Sequence, residues 1–364
     1  MPEAESRRHI RRTRWVVVAL AGLFALVLLA VLVLDGRVTT HPEPAPTADS
    51  TRPTSPDPSD AGSASASPGP SVAPFSAVQR LSMTFPEKQR TDRTSFAVEE
   101  GETYLLQFDV DAEKPAGSPG YGFMLGLTLQ CTDQDGRGVA TLSGTQNLLT
   151  GEPVTLSNQL VMTPARDGVI TCSMLANAPD ADLAAQGTGF AVDVTWKVTE
   201  PVGLALPAQP AESLPVVIPA SSSQVLLTRD VAVEELAQRR LDVLTSLQLT
   251  TCTGPGGSTE DGTQWCTEDV IDPTGSHFRF EVRYDVIGAD GQVCGTIDSG
   301  RRTEYLDIYR HHQLYHVAKS VAVPTELCGP TIRTSINLRN DGPAGLLVHR
   351  AGTSMVTMET RPVS

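Results

Sequence analysis

Two hydrophobic rhythms divide this chain. From Trp15 to Leu34 twenty residues pass with Gly22 as the one break in an otherwise apolar run. At about 1.5 Å per residue a helix of that length is about 30 Å long, the thickness of a bilayer's hydrocarbon core. Arg7, Arg8, Arg11, Arg12 and Arg14 precede the run and Asp35 closes it. Arginine favours the cytoplasmic side, so the pattern predicts a tail at 1–14, a transmembrane signal anchor at 15–34 and an extracytoplasmic remainder. The exit Leu32-Val33-Leu34-Asp35-Gly36-Arg37 lacks the small-x-small pattern of a cleaved signal peptide.

From about Ser76 the rhythm becomes alternation. Leu81, Met83 and Phe85 alternate with polar residues, as do Leu125, Leu127, Leu129 and Cys131. Phe190 to Val198 and Phe278 to Val286 repeat the pattern over five steps each. Period two predicts strands with one dry and one wet face, the signature of antiparallel sheets. Asp-Gly pairs at 135–136, 167–168, 261–262, 290–291 and 341–342 supply hairpin turn chemistry. One helix is expected, Val233 to Leu244, with Ala237, Leu241 and Leu244 on one side.

Between these regions, residues 35–75 hold nine prolines, all from Pro42 to Pro74, among Ser, Thr, Ala and Asp. Such a segment buries too little apolar surface to offset its ordering entropy, so it reads as a disordered stalk. After it, Tyr104-Leu105-Leu106-Gln107-Phe108-Asp109-Val110 matches Val225-Leu226-Leu227-Thr228-Arg229-Asp230-Val231. Cys131 and Cys252 follow these segments at equal spacing, and Asp-Gly precedes both Cys172 and Cys294. The expectation is an internal duplication: two tandem antiparallel β-sandwich domains, 76–200 and 212–364, divided by the stretch from Pro201 to Pro215.

Charge and cysteine refine this picture. The chain has 28 Lys+Arg and 42 Asp+Glu; residues 1–37 take six arginines and three acids, leaving 22 against 39, or −17, for the exterior. That balance excludes a nucleic-acid-binding role, which needs a basic stripe. Cys131, Cys172, Cys252, Cys266, Cys294 and Cys328 are six, all beyond the span, and none form a Cys-x-x-Cys pair, so they predict three disulfides rather than a zinc site. Cys131–Cys172 is one; the others are Cys252–Cys294 with Cys266–Cys328 if the duplication governs, or Cys252–Cys266 with Cys294–Cys328 if neighbours join. The Cys131 and Cys172 pair resembles the inter-sheet bridge of immunoglobulin domains, which implies an Ig-like sandwich architecture. Ile170 stands where that family's corner tyrosine would be, and no tryptophan lies between the two cysteines.

Candidate chemistry concentrates at Glu304 to His316. Tyr305, Asp307, Tyr309, His311, His312, Tyr315 and His316 form the candidate partner surface, since tyrosines give large contact area at low entropy cost. His312 and His316 share a face on a helix or a strand, a spacing that can chelate zinc or copper, but a single strand face offers few ligands, and no metal or cofactor is expected. Asp133-Gln134-Asp135-Gly136 opens like a calcium loop but lacks its later ligands, and reads as a turn. No nucleophile elbow, metalloprotease, phosphate-loop or dinucleotide motif occurs. The sequence thus predicts a non-catalytic binding or scaffold protein, tethered by one span to a bacterial cell membrane. Its partner would be an envelope protein or cell-wall component. The alternatives are an envelope hydrolase and a metal or small-ligand sensor.

Overall fold

The computed structural model describes residues 75–84, 88–114, 122–178, 189–201, 203–210, 214–237, 239–258, 263–306 and 310–359. The apolar run at 15–34 and almost all of the stalk lie outside them. Among the described residues no helix is long and apolar enough to cross a membrane.

The protein is all-β and antiparallel. Nine strands build a first sandwich: β1 (Phe75–Thr84), β2 (Lys88–Arg90), β3 (Thr94–Val98), β4 (Tyr104–Ala112), β5 (Gly122–Thr132), β6 (Gly138–Leu149), β7 (Val154–Met162), β8 (Gly168–Asn177) and β9 (Gly189–Thr199). One sheet runs β1-β9-β4-β7; the other runs β8-β5-β6, with β2 and β3 both pairing the free side of β8. Alternation explains the layering. On β5, Phe123, Leu125, Leu127, Leu129 and Cys131 face inward, and on β9 Phe190, Val192, Val194, Trp196 and Val198 meet them in one core.

The second sandwich begins with β10 (Ala205–Pro207), β11 (Gln209–Pro210), β12 (Val216–Ile218), β13 (Ser223–Ala232) and β14 (Arg240–Thr251). A small hairpin, β15 (Gly256–Ser258) and β16 (Gln264–Cys266), interrupts it before β17 (Ser276–Ile287), β18 (Val293–Leu306), β19 (His312–Ala322), β20 (Thr331–Asn340), β21 (Leu346–Val348) and β22 (Ser354–Glu359). One sheet has β14 between β22 and β19, with β10 outside β22 and with β21 and β12 continuing beyond one end of β14. The other runs β11-β13-β20-β17-β18. Phe278, Phe280, Val282 and Tyr284 of β17 pack in its core against Leu241, Val243 and Leu247 of β14.

Setting aside the short extra strands, both halves follow one path. In chain order the first half gives a sheet of strands 1-8-3-6 (β1-β9-β4-β7) and a sheet 2-7-4-5 (β3-β8-β5-β6). The second gives β10-β22-β14-β19 and β13-β20-β17-β18, the same two orders. This is the double Greek key of a jelly roll, not the seven-strand connectivity of an immunoglobulin sandwich.

Several sequence expectations are corrected by this topology. The matched segments Tyr104–Val110 and Val225–Val231 lie on β4 and β13, which are not counterparts; β4 corresponds to β14. Cys252 is therefore not the equivalent of Cys131, and it bonds Cys266, while Cys294 bonds Cys328. Cys131 does bond Cys172, but the two are cross-strand partners on β5 and β8 of one sheet, so the bridge staples a sheet instead of joining two. The stretch from Pro201 to Pro215 carries β10, so the second sandwich takes its first strand from upstream of residue 212. The helix expected over Val233–Leu244 is one 3₁₀ turn, Val233–Glu235, followed by β14. Leu241, Val243, Leu247 and Leu249 are all buried on the inward face of that strand, and burial on a long strand overrides the short helical pattern.

Candidate functional site

The residues singled out between Glu304 and His316 divide among several environments. Tyr305 lies on β18 opposite His277, and Asp307 and Tyr309 lie outside the described residues. Tyr315 points into the second core, edge-on to Phe278 and Phe280 with ring centroids 5.7 and 5.6 Å away. Being 6% exposed, it is no part of a partner surface. His312, Leu314 and His316 alternate with it, and therefore face outward from the sheet. That outward face is covered: strands β6 and β7 of the first sandwich lie on it.

The seam between the sandwiches is built from neutral hydrogen bonds around one apolar knob. Leu314 inserts into the first core, against Gly144 of β6, where a Cβ would come within 2.5 Å of its Cδ2. Its backbone N–H donates to Gln146 Oε1 at 3.0 Å, and that of His312 donates to Asn147 Oδ1 at 2.6 Å. From the other side, Gln248 of β14 accepts from the Thr145 N–H at 2.6 Å and donates to the Thr145 carbonyl at 2.9 Å. Ser246 Oγ donates to the Ser157 carbonyl, and Asn158 Nδ2 to the carbonyls of Ser143 and Gly352. Side-chain amides thus complete the backbone bonding of β6, an edge strand that would otherwise be open.

The histidines are part of this lattice. His312 Nδ1 and His349 Nε2 each lie 2.7 Å from Thr250 Oγ1, and His316 Nδ1 lies 3.2 Å from Ser246 Oγ. Burial disfavours the imidazolium, pushing His312 down to about 3, with His311 and His349 adding repulsion. The same desolvation takes His349 down to about 4 and lowers His316, against the pull of Asp109. The His311 ring centroid is 4.2 Å from that of His312. Each buried ring is turned to a hydroxyl, and among the described residues no three metal-ligating side chains converge. In the Asp133 turn, Asp133 Oδ1 accepts from the backbone N–H groups of Asp135 and Arg137, and Arg166 pairs with both carboxylates. Those bonds hold Asp133 below the usual carboxylate range and occupy the oxygens a cation would need.

Beside the seam opens a cleft of ≈ 820 Å³. One wall is the outer face of the first sandwich, where Thr128 stands opposite Ser143 and Gln130 opposite Thr141 on paired strands β5 and β6. The floor is the bonded Asn158 and Gln159 of β7. The far wall is the loop from His349 to Thr353 together with Trp265 of β16, whose hairpin is tied to the end of β14 by Cys252–Cys266. No carboxylate lines this cleft among the described residues, and Arg350 donates from Nε to the Leu214 carbonyl at 2.9 Å. None of these residues stands out in the sequence, because a polar side chain on a wet strand face looks the same whether it lines a cleft or open solvent. The adjacency of Trp265 to a cysteine was the one available signal.

No family model matches the chain, and no curated relative matches it. Solved structures with partial likeness include the recombinant peptide:N-glycanase F (PNGase F), at 9% identity over 78% of this chain and 97% of that one, with a TM-score of 0.33. The tandem CBM22-1-CBM22-2 domains of Paenibacillus barcinonensis Xyn10C are similar at 11% identity over 78% and 93%, TM-score 0.24. The T13 viral particle of IBDV gives 10% identity over 79% and 69%, TM-score 0.27.

Proposed function

We propose that this chain is a non-catalytic binding module of a bacterial cell envelope, held at the membrane by residues 15–34 and raised from it by the proline-rich stalk. The observation that carries the binding part is the cleft beside the seam. It falls within the roughly 300–1,000 Å³ range of small-ligand sites. Its lining offers amides, hydroxyls and one indole, and no paired carboxylates or activated nucleophile among the described residues. The seam supports the reading, because a wall from each sandwich is held in fixed register by hydrogen bonds rather than by a hinge. The anchor rests on the apolar run and the five arginines before it.

The test is retention without turnover. Purified full-length chain in nanodiscs is incubated with isolated envelope polymer. Stable capture without release of soluble sugar or peptide fragments is expected. Time-dependent release of fragments would transfer the protein to the hydrolases. Alkaline phosphatase fused after Ser76 should be active and fused after Arg14 inactive; the reverse pattern would overturn the topology.

A further inference from the structure

We infer that the cleft between the sandwiches takes an uncharged oligosaccharide, with Trp265 as its stacking platform and the Thr128–Gln130–Thr141–Ser143 array as its hydroxyl-reading wall. The inference rests on the binding-module reading and names the ligand class of that same cleft.

Charge makes the first selection. The exterior of this chain carries −17, yet the cleft's described lining holds no carboxylate. Its one guanidinium, Arg350, is bonded to a backbone carbonyl, and its one imidazole, His349, is turned to Thr250 and kept neutral by burial. A cationic ligand would find no carboxylate there, Arg350 keeps its charge but spends its Nε–H on a carbonyl, and a neutral ligand meets no repulsion.

Hydrogen-bonding capacity makes the second. Thr128 faces Ser143 and Gln130 faces Thr141 across paired strands, so four polar side chains form a rectangle of about 5 by 7 Å. Cross-strand neighbours have Cβ atoms about 4.5–5.5 Å apart, so the wall offers several donors and acceptors within the span of one sugar unit. Each hydroxyl can both donate and accept, and the Gln130 amide does both, which suits a ligand made of hydroxyl groups. Gln130 Oε1 is oriented by Arg90, whose Nη1 lies 3.3 Å away and also bonds Ser173. Thus the amide is aimed rather than free to rotate.

The aromatic wall makes the third. Trp265 stands on a two-stranded hairpin fixed by Cys252–Cys266, so its indole is held at the cleft by a covalent staple. An indole offers a flat apolar face and a polar edge, matching the C–H face of a pyranose and its rim of hydroxyls. An extended peptide is the less favoured occupant. Peptides add to open strand edges, and the nearest edge, β6, is already bonded by Gln248, Gln146 and Asn147 to the second sandwich.

The test titrates full-length protein in nanodiscs with neutral gluco-, manno-, galacto- and arabino-configured tetrasaccharides, by calorimetry and tryptophan fluorescence. Isolated envelope polysaccharide in a second arm distinguishes a polymer from a free sugar as the source. At least one sugar should bind, and Trp265→Ala should weaken it tenfold or more while Trp265→Phe retains part of the affinity. On the opposite wall Thr128→Val with Gln130→Ala should weaken the same sugar at least fivefold, with unchanged thermal melting guarding against misfolding. Binding that ignores both walls, or failure of every neutral sugar, overturns the inference. If a peptide or acidic polymer then competes for the cleft, the ligand class has failed while the binding-module reading stands. If sugar is bound and cleaved, the non-catalytic reading fails and the ligand class stands.

Discussion

Gln248 grips both polar groups of the Thr145 peptide backbone, accepting from its N–H at 2.6 Å and donating to its carbonyl at 2.9 Å. A side chain of one sandwich thereby stands in for the strand that would have extended the sheet of the other. Gln248→Ala leaves two backbone groups unpaired in the seam, a loss of about 1–3 kcal/mol. Urea denaturation should show a lower midpoint with an unchanged m-value. Gln248→Glu should be no better than alanine, since a carboxylate cannot donate to the carbonyl and brings charge into a neutral interface.

Leu314 and Gly144 form the apolar counterpart of that contact. Leu314→Ala should destabilise by about 2–5 kcal/mol, because the first core cannot collapse around a missing knob supplied from outside it. Gly144→Val, whose Cβ meets Leu314 Cδ2, should force the leucine aside at about 1–3 kcal/mol. The double variant should be more stable than the sum of the two losses predicts, since the valine fills space the leucine vacates. Additive losses in a double-mutant cycle would show that the two residues do not share one site.

Stability should fall on mild acidification. His312 and His349 stay neutral in the folded protein down to about 3 and about 4, whereas an unfolded imidazole takes a proton near 6.5. Their contribution is therefore fully present above about pH 6.5 and is lost as pH falls from there toward 4 and 3. Within that window each imidazole removes about 1.4 kcal/mol per pH unit. Asp341, held at about 2 by Arg279 and Arg339, acts in the same direction only below the unfolded carboxylate range near 4. Unfolding free energies at pH 7.5 and 5.0 should differ clearly in the wild type and less in His312→Gln. Equal pH dependence in both would remove His312 from the account.

The Cys131–Cys172 bridge closes a loop spanning 41 positions between neighbouring strands. In the loop-entropy description this constrains the unfolded chain by about 4 kcal/mol. Changing both residues to alanine should lower the thermal midpoint of the first sandwich. Cys294→Ala with Cys328→Ala should spare that core, since this bridge joins β18 to the segment before β20 in the second half. Calorimetry with non-reducing peptide mapping checks both.

The fold was legible where one strand carried enough steps of alternation. Runs such as Leu125–Cys131, Phe190–Val198 and Phe278–Val286 announce their own inward faces. The local match behind the expected duplication was misleading: Tyr104–Val110 and Val225–Val231 match as seven-residue strand segments although they occupy different places in the jelly roll. Strand position is fixed by pairing partners far along the chain, which a local match does not contain. For the same reason Tyr315 and His312, three residues apart, read as one patch, yet the first lies in a core and the second in the seam. The cleft was illegible because its walls are ordinary wet strand faces until the second sandwich stands beside the first.

The dependence of β6 and β7 on a surface that is translated after them sets an order of events in biogenesis. The first sandwich emerges with edge backbone groups that its own residues do not satisfy; Gln248 follows Thr145 by 103 residues, and Leu314 follows Gln146 by 168. Until then that half is a sheet with an open flank, the state most prone to pairing with another copy of itself. A chain arrested near residue 200 should therefore accumulate as self-associated material, because completion of the first half lies in the synthesis of the second.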